Sequence, residues 1–415
     1  MSEPNLRELT SDLLLFRGMQ WIAGASGDPY ALLLRAESED PAELGSLIRD
    51  KGDLYQSDTG AWVCGRWSAA RELLDDPRLD LCPADGGTRS DEDGWQLKPL
   101  SAILPLNGAA LTLRRADYER LGTRDAWPFG AAEPDGRPLE NLAHDVLERV
   151  GSDFDLMDHF ARPVAAAATA DLLGLSEGPV RDGYADLCTK TRGALDAMLC
   201  PPLPRAALDL RAGITDLRDL LTAHAATRPS PAGPAERVDP VALAVLVAAA
   251  GTELGAGLIG SAVACLLDHS DQWGRLRDDP SLAAGAVAET ERFAPPYRME
   301  RFYAGEGFAP ARSDLSGAGP APGDEVVVLF DAVGRDPERF EAPDRFDVTR
   351  PSVAPTALSA SPRTRALAPW VRALASAAVG VLAERLPRLR AAGERLHHLR
   401  SPVVRSLFRF PVAAW

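Results

Sequence analysis

Glu289 and Arg292 stand three residues apart in a stretch with helical spacing, so their side chains share one face and can form an ion pair. A pair of this kind, taken out of water, needs good geometry and further hydrogen bonds to offset its desolvation, which suits architecture better than catalysis. Glu253 is a lone carboxylate inside the apolar run Val241 to Leu267, between Thr252 and Leu254. A buried acid beside a hydroxyl can relay protons, but on a helix Thr252 points about 100° away from Glu253. Cys64, Cys82, Cys188, Cys200 and Cys265 lie far apart, with no CxxC or other zinc-ligand spacing. His397 and His398 adjoin near the carboxyl end and read as a satisfied surface pair. The sequence has no G-x-S-x-G elbow and no nucleotide-sugar signature, and no Lys-Ser/Thr follows the glycines at Gly24 and Gly27.

The elements that must position these residues are mostly helical. Apolar spacing predicts helices over Leu9 to Phe16, Ala69 to Leu74, Leu139 to Val150, Val164 to Leu175, Ile214 to His224, Val241 to Asp268, Leu282 to Phe293 and Val371 to Leu386. Strands are expected at Ala61 to Cys64, Arg301 to Ala304 and Glu325 to Phe330. Proline- and glycine-rich punctuation at 200–204, 229–240 and 310–323 reads as surface connections. None of them separates halves of different composition, so residues 1–415 are expected to form a single domain, mainly α with small β-sheets.

The formal net charge of -15 argues against a nucleic-acid partner, which demands a basic surface. From Pro351 to Trp415, however, ten arginines face only Glu384 and Glu394, a pattern of solvated helix faces or of a tail that meets an acidic partner. Val241 to Leu267 has the length of a bilayer span. Glu253 near its middle would cost about 3 kcal/mol there, so a core helix is expected and no membrane association. Scattered cysteines and a polar stretch from Met1 to Thr10 without an apolar h-region predict a cytoplasmic protein.

Several stretches, in order, resemble the cytochrome P450 superfamily. Trp67-Ser-Ala-Ala-Arg-Glu-Leu-Leu-Asp-Asp-Pro-Arg78 is similar to the short helix and turn after the first strands of bacterial P450s. Ala250-Gly-Thr-Glu-Leu254 stands where the family has Ala/Gly-Gly-x-Asp/Glu-Thr on its long helix. Glu289-Thr-Glu-Arg292 matches the ExxR helix, and Gly334-Arg-Asp-Pro-Glu-Arg-Phe-Glu-Ala-Pro-Asp-Arg-Phe-Asp347 the meander. The resemblance implies the P450 fold, with Glu289, Arg292 and a meander arginine, here Arg345, forming a buried structural network.

The same resemblance exposes what is missing. P450s carry their haem thiolate in a loop between the meander and the next helix, and the equivalent stretch is Ala357 to Trp370. The best register puts Ala366 at the cysteine position, and no cysteine follows Cys265, so no shift of register restores the ligand. That thiolate is what drives dioxygen cleavage in P450s. Cys265 would lie on the long helix, across the opposite haem face. The acid–alcohol pair is broken as well, because Leu254 follows Glu253. Tyr118 and Gly122 occupy the places of the usual propionate-binding His and Arg. No haem, metal or catalytic residue is therefore expected.

Leu15 to Arg35, Leu195-Asp-Ala-Met-Leu-Cys-Pro201 and Arg400-Ser-Pro-Val-Val-Arg405 resemble one branch of the superfamily. This branch comprises the haem-less auxiliary proteins of deoxysugar glycosyltransferases in macrolide and anthracycline biosynthesis. The resemblance implies a pseudoenzyme that binds and activates or stabilises a glycosyltransferase, which moves a deoxysugar from a nucleotide sugar to a polyketide aglycone. Phe16, Met19, Trp21, Ile22 and Tyr30 have the composition of an interface core; the alternative is that they pack into the domain itself. Two other functions remain open at this point: a P450 monooxygenase with atypical haem ligation, and an aglycone-binding carrier.

Overall fold

The computed structural model describes residues 6–36, 40–83, 89–90, 96–97, 100–106, 109–121, 136–175, 179–226, 239–308, 319–351 and 357–414. Most of the expected connections at 229–240 and 310–323, and Gly122, lie outside these residues. The amino-terminal third holds helices α1 (Leu6–Ala25), α2 (Pro29–Arg35), α3 (Pro41–Asp50), α4 (Trp67–Asp75), α5 (Leu100–Ile103) and α6 (Arg115–Leu121), with strands β1 (Tyr55–Gln56), β2 (Trp62–Cys64), β3 (Leu79–Asp80), β4 (Arg89–Ser90) and β5 (Gln96–Leu97). Then come α7 (Gly136–Leu147), β6 (Asp153–Asp155), α8 (Arg162–Leu172), α9 (Pro179–Lys190), α10 (Pro204–Ala225), α11 (Pro240–Leu246), α12 (Thr252–Asp268), α13 (Ser270–Asp278) and α14 (Ala283–Phe293). The last part contains β7 (Met299–Ala304), β8 (Glu325–Leu329), α15 (Phe330–Val333), α16 (Ala357–Ala360), α17 (Pro362–Arg365), α18 (Ala368–Arg385), β9 (Arg390–Ala391), β10 (Leu396–His397), β11 (Leu407–Arg409) and β12 (Pro411–Ala413).

Local chemistry sets the helix starts. Asp28, Asp40 and Asp239 each accept a backbone N–H at the start of α2, α3 and α11, and each is followed by proline, whose missing N–H costs nothing there. The three strands read from the sequence join one five-stranded sheet in the order β1-β2-β8-β7-β3. β2 runs parallel to β8 with Trp62 opposite Val326, and β7 pairs antiparallel with β8 with Met299 opposite Leu329. All six residues of β7 are buried, as expected for a strand covered on both faces.

The core is built round the run Pro240 to Asp268, in which α11 and α12 are joined by a π-helical turn at Val247–Gly251. It is the one helix among the described residues long and apolar enough to cross a membrane, and its most apolar stretch is entirely buried inside the protein. Packing against α8, α14 and α18 supplies the apolar surroundings that a bilayer would otherwise provide. Close approach is made possible by glycine: a Cβ on Gly255 would lie 2.9 Å from Leu374 Cδ2. Buried apolar residues from Leu9 to Val412 form one continuous cluster.

Helix α1 runs well past the predicted Phe16 to Ala25. Gly18 and Gly24 lower its intrinsic propensity, but tertiary contacts override them: Gln20 Nε2 donates to Leu199 O at 2.9 Å and Arg17 Nη1 to Pro201 O at 3.2 Å. The arginines near the carboxyl end are not all free for a partner. Arg363, Arg372 and Arg395 pair inside the chain with Glu300, Glu291 and Asp268.

Gly255→Val is expected to destabilise the protein by about 1–3 kcal/mol through overpacking against Leu374. Urea unfolding followed by circular dichroism measures it.

Candidate functional site

Glu289 and Arg292 form a bidentate pair inside the protein: Arg292 Nε donates to Oε2 at 2.8 Å and Nη2 to Oε1 at 2.7 Å. The remaining guanidinium hydrogens reach carbonyls of the meander, with Nη1 to Gly334 O at 2.8 Å and Pro343 O at 2.7 Å and Nη2 to Arg345 O at 3.1 Å. Gly334 must be glycine, since a Cβ there would sit 2.1 Å from Arg292 O. Arg345 itself does not complete the network. Its side chain is 63% exposed and lies 3.6 Å from Asp347, and only its carbonyl faces inward. Arg350 takes the expected place, donating from Nε to Glu289 Oε1 at 3.1 Å and from Nη1 to Glu341 O at 2.9 Å. A turn closed by Arg350 N to Asp347 O folds the chain back and aims the later arginine inward. Arg350 was not singled out from the sequence, because spacing does not show which arginine the turn directs inward.

The stretch that would carry an iron ligand is folded into α16 and α17, with Ser361 capping α17. Its most buried charge is Arg363, which donates from Nη1 to Glu300 Oε1 at 2.9 Å and lies 3.4 Å from the Tyr297 hydroxyl. Ser361 Oγ donates to Glu300 Oε2, and the Tyr118 ring centre lies 5.9 Å from the guanidinium. Burial opposes the charge on Arg363, but Glu300, Tyr297 and Tyr118 hold its pKa well above the usual arginine value. Burial pushes the Tyr118 hydroxyl up to about 12. Glu300 and Arg363 were not singled out from sequence. A charged pair on a strand and a one-turn helix, 63 residues apart, leaves no periodic signal.

These residues do not fit haem. Ala366 offers no donor, and Leu367 and Trp370 after it pack on the long helix, within 3.9 Å and 3.6 Å of where a Cβ on Gly251 would stand. The guanidinium nearest Tyr118 is already neutralised by Glu300, so it is not available to a propionate. Cysteine binds iron as the thiolate, and the cysteines of the long helix and its neighbours stand on elements other than α16 and α17, Cys188 on α9 and Cys265 on α12.

At the former oxygen-activating position, Leu254 is fully buried and Thr252 Oγ1 shares a hydrogen bond with Thr169 Oγ1 at 2.9 Å, turned toward α8. Glu253 Oε1 accepts from Gly193 N at 3.1 Å, while Oε2 has no partner. Burial, and then the charge of Asp196, pushes Glu253 up to about 8.

The amino-terminal cluster separates. Tyr30 is only 2% exposed and belongs to the core, because Asp28 caps α2 so that its aromatic face turns inward. Phe16 is half-buried against the core. Trp21 and Ile22 are 53% and 71% exposed, and with Met19, Leu14 and Leu15 they form an outward apolar face on α1. Arg35 covers one side of Trp21 at 4.1 Å. The three stretches singled out as a branch signature meet in space. Asp196 accepts from Ser401 Oγ at 2.6 Å and Val403 N at 2.7 Å, and α1 bonds Leu199 and Pro201 as described above.

No protein-family model matches the chain. Among solved structures, ligand-free CYP164A2 of Mycobacterium smegmatis superposes with a TM-score of 0.76 and 24% identity, over 93% of this chain and 99% of that one. P450BioI, in complex with a fatty-acid-ligated acyl carrier protein, gives 0.73 and 22%, over 91% and 99%. Helix-rich architecture, ExxR–meander network and long central helix together define the cytochrome P450 fold. At the sequence level, Protein AknT of Streptomyces galilaeus is 42% identical over 98% of this chain and 95% of its own length. Protein DesVIII of Streptomyces venezuelae is 34% identical over 98% and 94%, and the cytochrome P450 family protein EryCII of Saccharopolyspora erythraea 31% over 97% of each. The chain belongs to this family of P450-related proteins.

Two measurements probe the site. Arg350→Ala is expected to cost about 2–3 kcal/mol, because it removes a charge-assisted bond to a buried carboxylate. Arg345→Ala stays within about 0.5 kcal/mol, and urea midpoints separate the two. For Glu253, the unfolded chain releases its proton near the usual 4.5 and the folded chain near 8. Between these values the unfolded state binds fewer protons, so stability falls as pH rises through the window. Glu253→Gln is expected to remove that slope, with its stability advantage over the parent growing from about pH 5 to about pH 8 in urea titrations.

Proposed function

We infer that this protein is a pseudoenzyme that binds a glycosyltransferase and activates or stabilises it, the transferase moving a deoxysugar from a nucleotide sugar to a polyketide aglycone. The observation that carries this reading is family membership, 42% identity to AknT over 98% of the chain, in a protein with alanine at the iron-ligand position. With no donor to iron, the fold acts by contact. A protein that binds the folded transferase and not its unfolded chain stabilises it by roughly 2.7 kcal/mol at a hundredfold excess over the dissociation constant. Faster turnover requires, in addition, tighter binding to the competent state of the transferase.

The docking surface in this reading is the outward face of α1, with Trp21 and Ile22 at its centre. Exposed apolar patches mark interaction sites, and six of the large exposed apolar side chains lie on this helix: Leu6, Leu14, Leu15, Met19, Trp21 and Ile22. The same helix is anchored from behind to the other two branch-signature segments through Gln20 and Arg17. The five thiols are all unpaired, which suits a reducing cytoplasm, where nucleotide sugars are also made.

The reading is tested by co-expressing the full chain with glycosyltransferases of the same pathway and assaying sugar transfer with and without it. A stimulated rate and a co-purifying complex are expected. Unchanged transfer with no complex overturns the assignment, and a Soret band that shifts with carbon monoxide after reduction establishes a monooxygenase instead. Trp21→Ala is expected to weaken the complex by about thirtyfold, the loss typical of an aromatic anchor of about 2 kcal/mol. Biosensor titration measures it, with folding checked by circular dichroism.

A further inference from the structure

A cavity of about 660 Å³ opens on one side of the long helix, floored by Thr252, Glu253 and Ala256 and walled by α8, α9 and the turn before α8. This is the size range of small-molecule sites. It lies on the flank of the helix turned away from α18, since Gly251 and Gly255, which pack on Trp370 and Leu374, project roughly opposite to Glu253 and Ala256. It is therefore separate from the face that packs on α18.

One polar atom of its lining, Glu253 Oε2, has no hydrogen-bond partner and belongs to a buried side chain. Buried polar atoms in native proteins are nearly always paired, with the chain itself, with water or with a ligand. Neighbouring groups satisfy one another, Thr169 with Thr252, Thr252 with Cys188, and the Tyr184 hydroxyl with this same cluster, so the orphan does not come from a generally loose region. It can donate. Glu253 keeps its proton at neutral pH, because burial and Asp196 outweigh Arg192 and Arg162. Its Oε1 already accepts from Gly193 N, which leaves Oε2–H to face the cavity. The rest of the wall exposes more apolar than polar surface, with Met157, Pro163 and several alanines, and it also carries Asp158, Arg162, Arg181, Asp186 and Arg192. The three arginines outnumber the two aspartates, which disfavours a cation.

We propose that this cavity is a binding site for an uncharged, largely apolar small molecule that presents a carbonyl or hydroxyl oxygen to Glu253. In this arrangement the oxygen of the occupant meets Glu253 and its ring system lies against the alanines of the lining. The site needs neither haem nor a transferase, and its test involves neither.

The probes are 1-tetralone, its oxygen-free counterpart tetralin and the cation 1-aminotetralin, titrated into the full chain by ligand-observed NMR. Saturable binding of 1-tetralone, at least tenfold tighter than of either analogue, is expected. Glu253→Leu weakens it at least tenfold, whereas Glu253→Gln, which retains an N–H donor, leaves it within about twofold. Ala167→Phe, which projects into the cavity, abolishes it. Equal binding of tetralin, no saturable binding, or identical affinities in Glu253→Leu and Glu253→Gln would mean that water alone serves this group and would overturn the proposal. If Ala167→Phe fails to fold, the two Glu253 variants decide the matter. Replacing a buried acid by leucine or glutamine removes an ionisable group and leaves packing volume nearly unchanged.

Discussion

The Glu289 carboxylate gathers Arg292, Arg350 and the Asp347 amide into one buried network, and through Arg292 it holds the carbonyls of Gly334, Pro343 and Arg345. Without that anion the two guanidinium groups would be left facing each other and a set of carbonyls in a region poor in water, a costly arrangement. The network fastens the meander to α14, on which α16 also packs. Arginine is required because its planar fork can satisfy a carboxylate and several carbonyls at once, which an ammonium cannot. This is architecture, and it survives when catalysis has gone.

A second buried pair, Arg363 with Glu300, occupies the stretch where a P450 would present its sulfur. Electrostatically it is closed: the charges neutralise each other, Ser361 fills another lone pair of Glu300, and Tyr297 and Tyr118 surround the guanidinium. Loss of an iron ligand alone would leave a defective enzyme. Here the same stretch holds a charge pair neutralised from within the chain, although Arg363 Nε has no hydrogen-bond partner. The scaffold then keeps its shape and presents surface.

That surface is shaped from within. The inner face of α1 is packed in the core through Leu9 and Leu13 and bound through Gln20 and Arg17 to the segment that Asp196 ties to Ser401 and Val403. Behind the long helix, the proton relay has been dismantled in an analogous way. Leu254 is packed in the core, Thr252 has turned to Thr169, and Glu253 is left protonated at the floor of a cavity.

Composition, helical spacing and ordered motifs determined the fold class, the principal helices, all three strands of the sheet core named beforehand, and the absence of an iron ligand. These are local or additive properties: burial follows periodicity, and a missing cysteine needs no coordinates. Tertiary structure alone decided which meander arginine turns inward, that Tyr30 belongs to the core while Trp21 and Ile22 do not, and that Arg363 finds Glu300. Each of these depends on the direction of a side chain at a turn or on a partner many residues away. Side-chain direction is fixed by backbone dihedrals and packing that no spacing rule encodes.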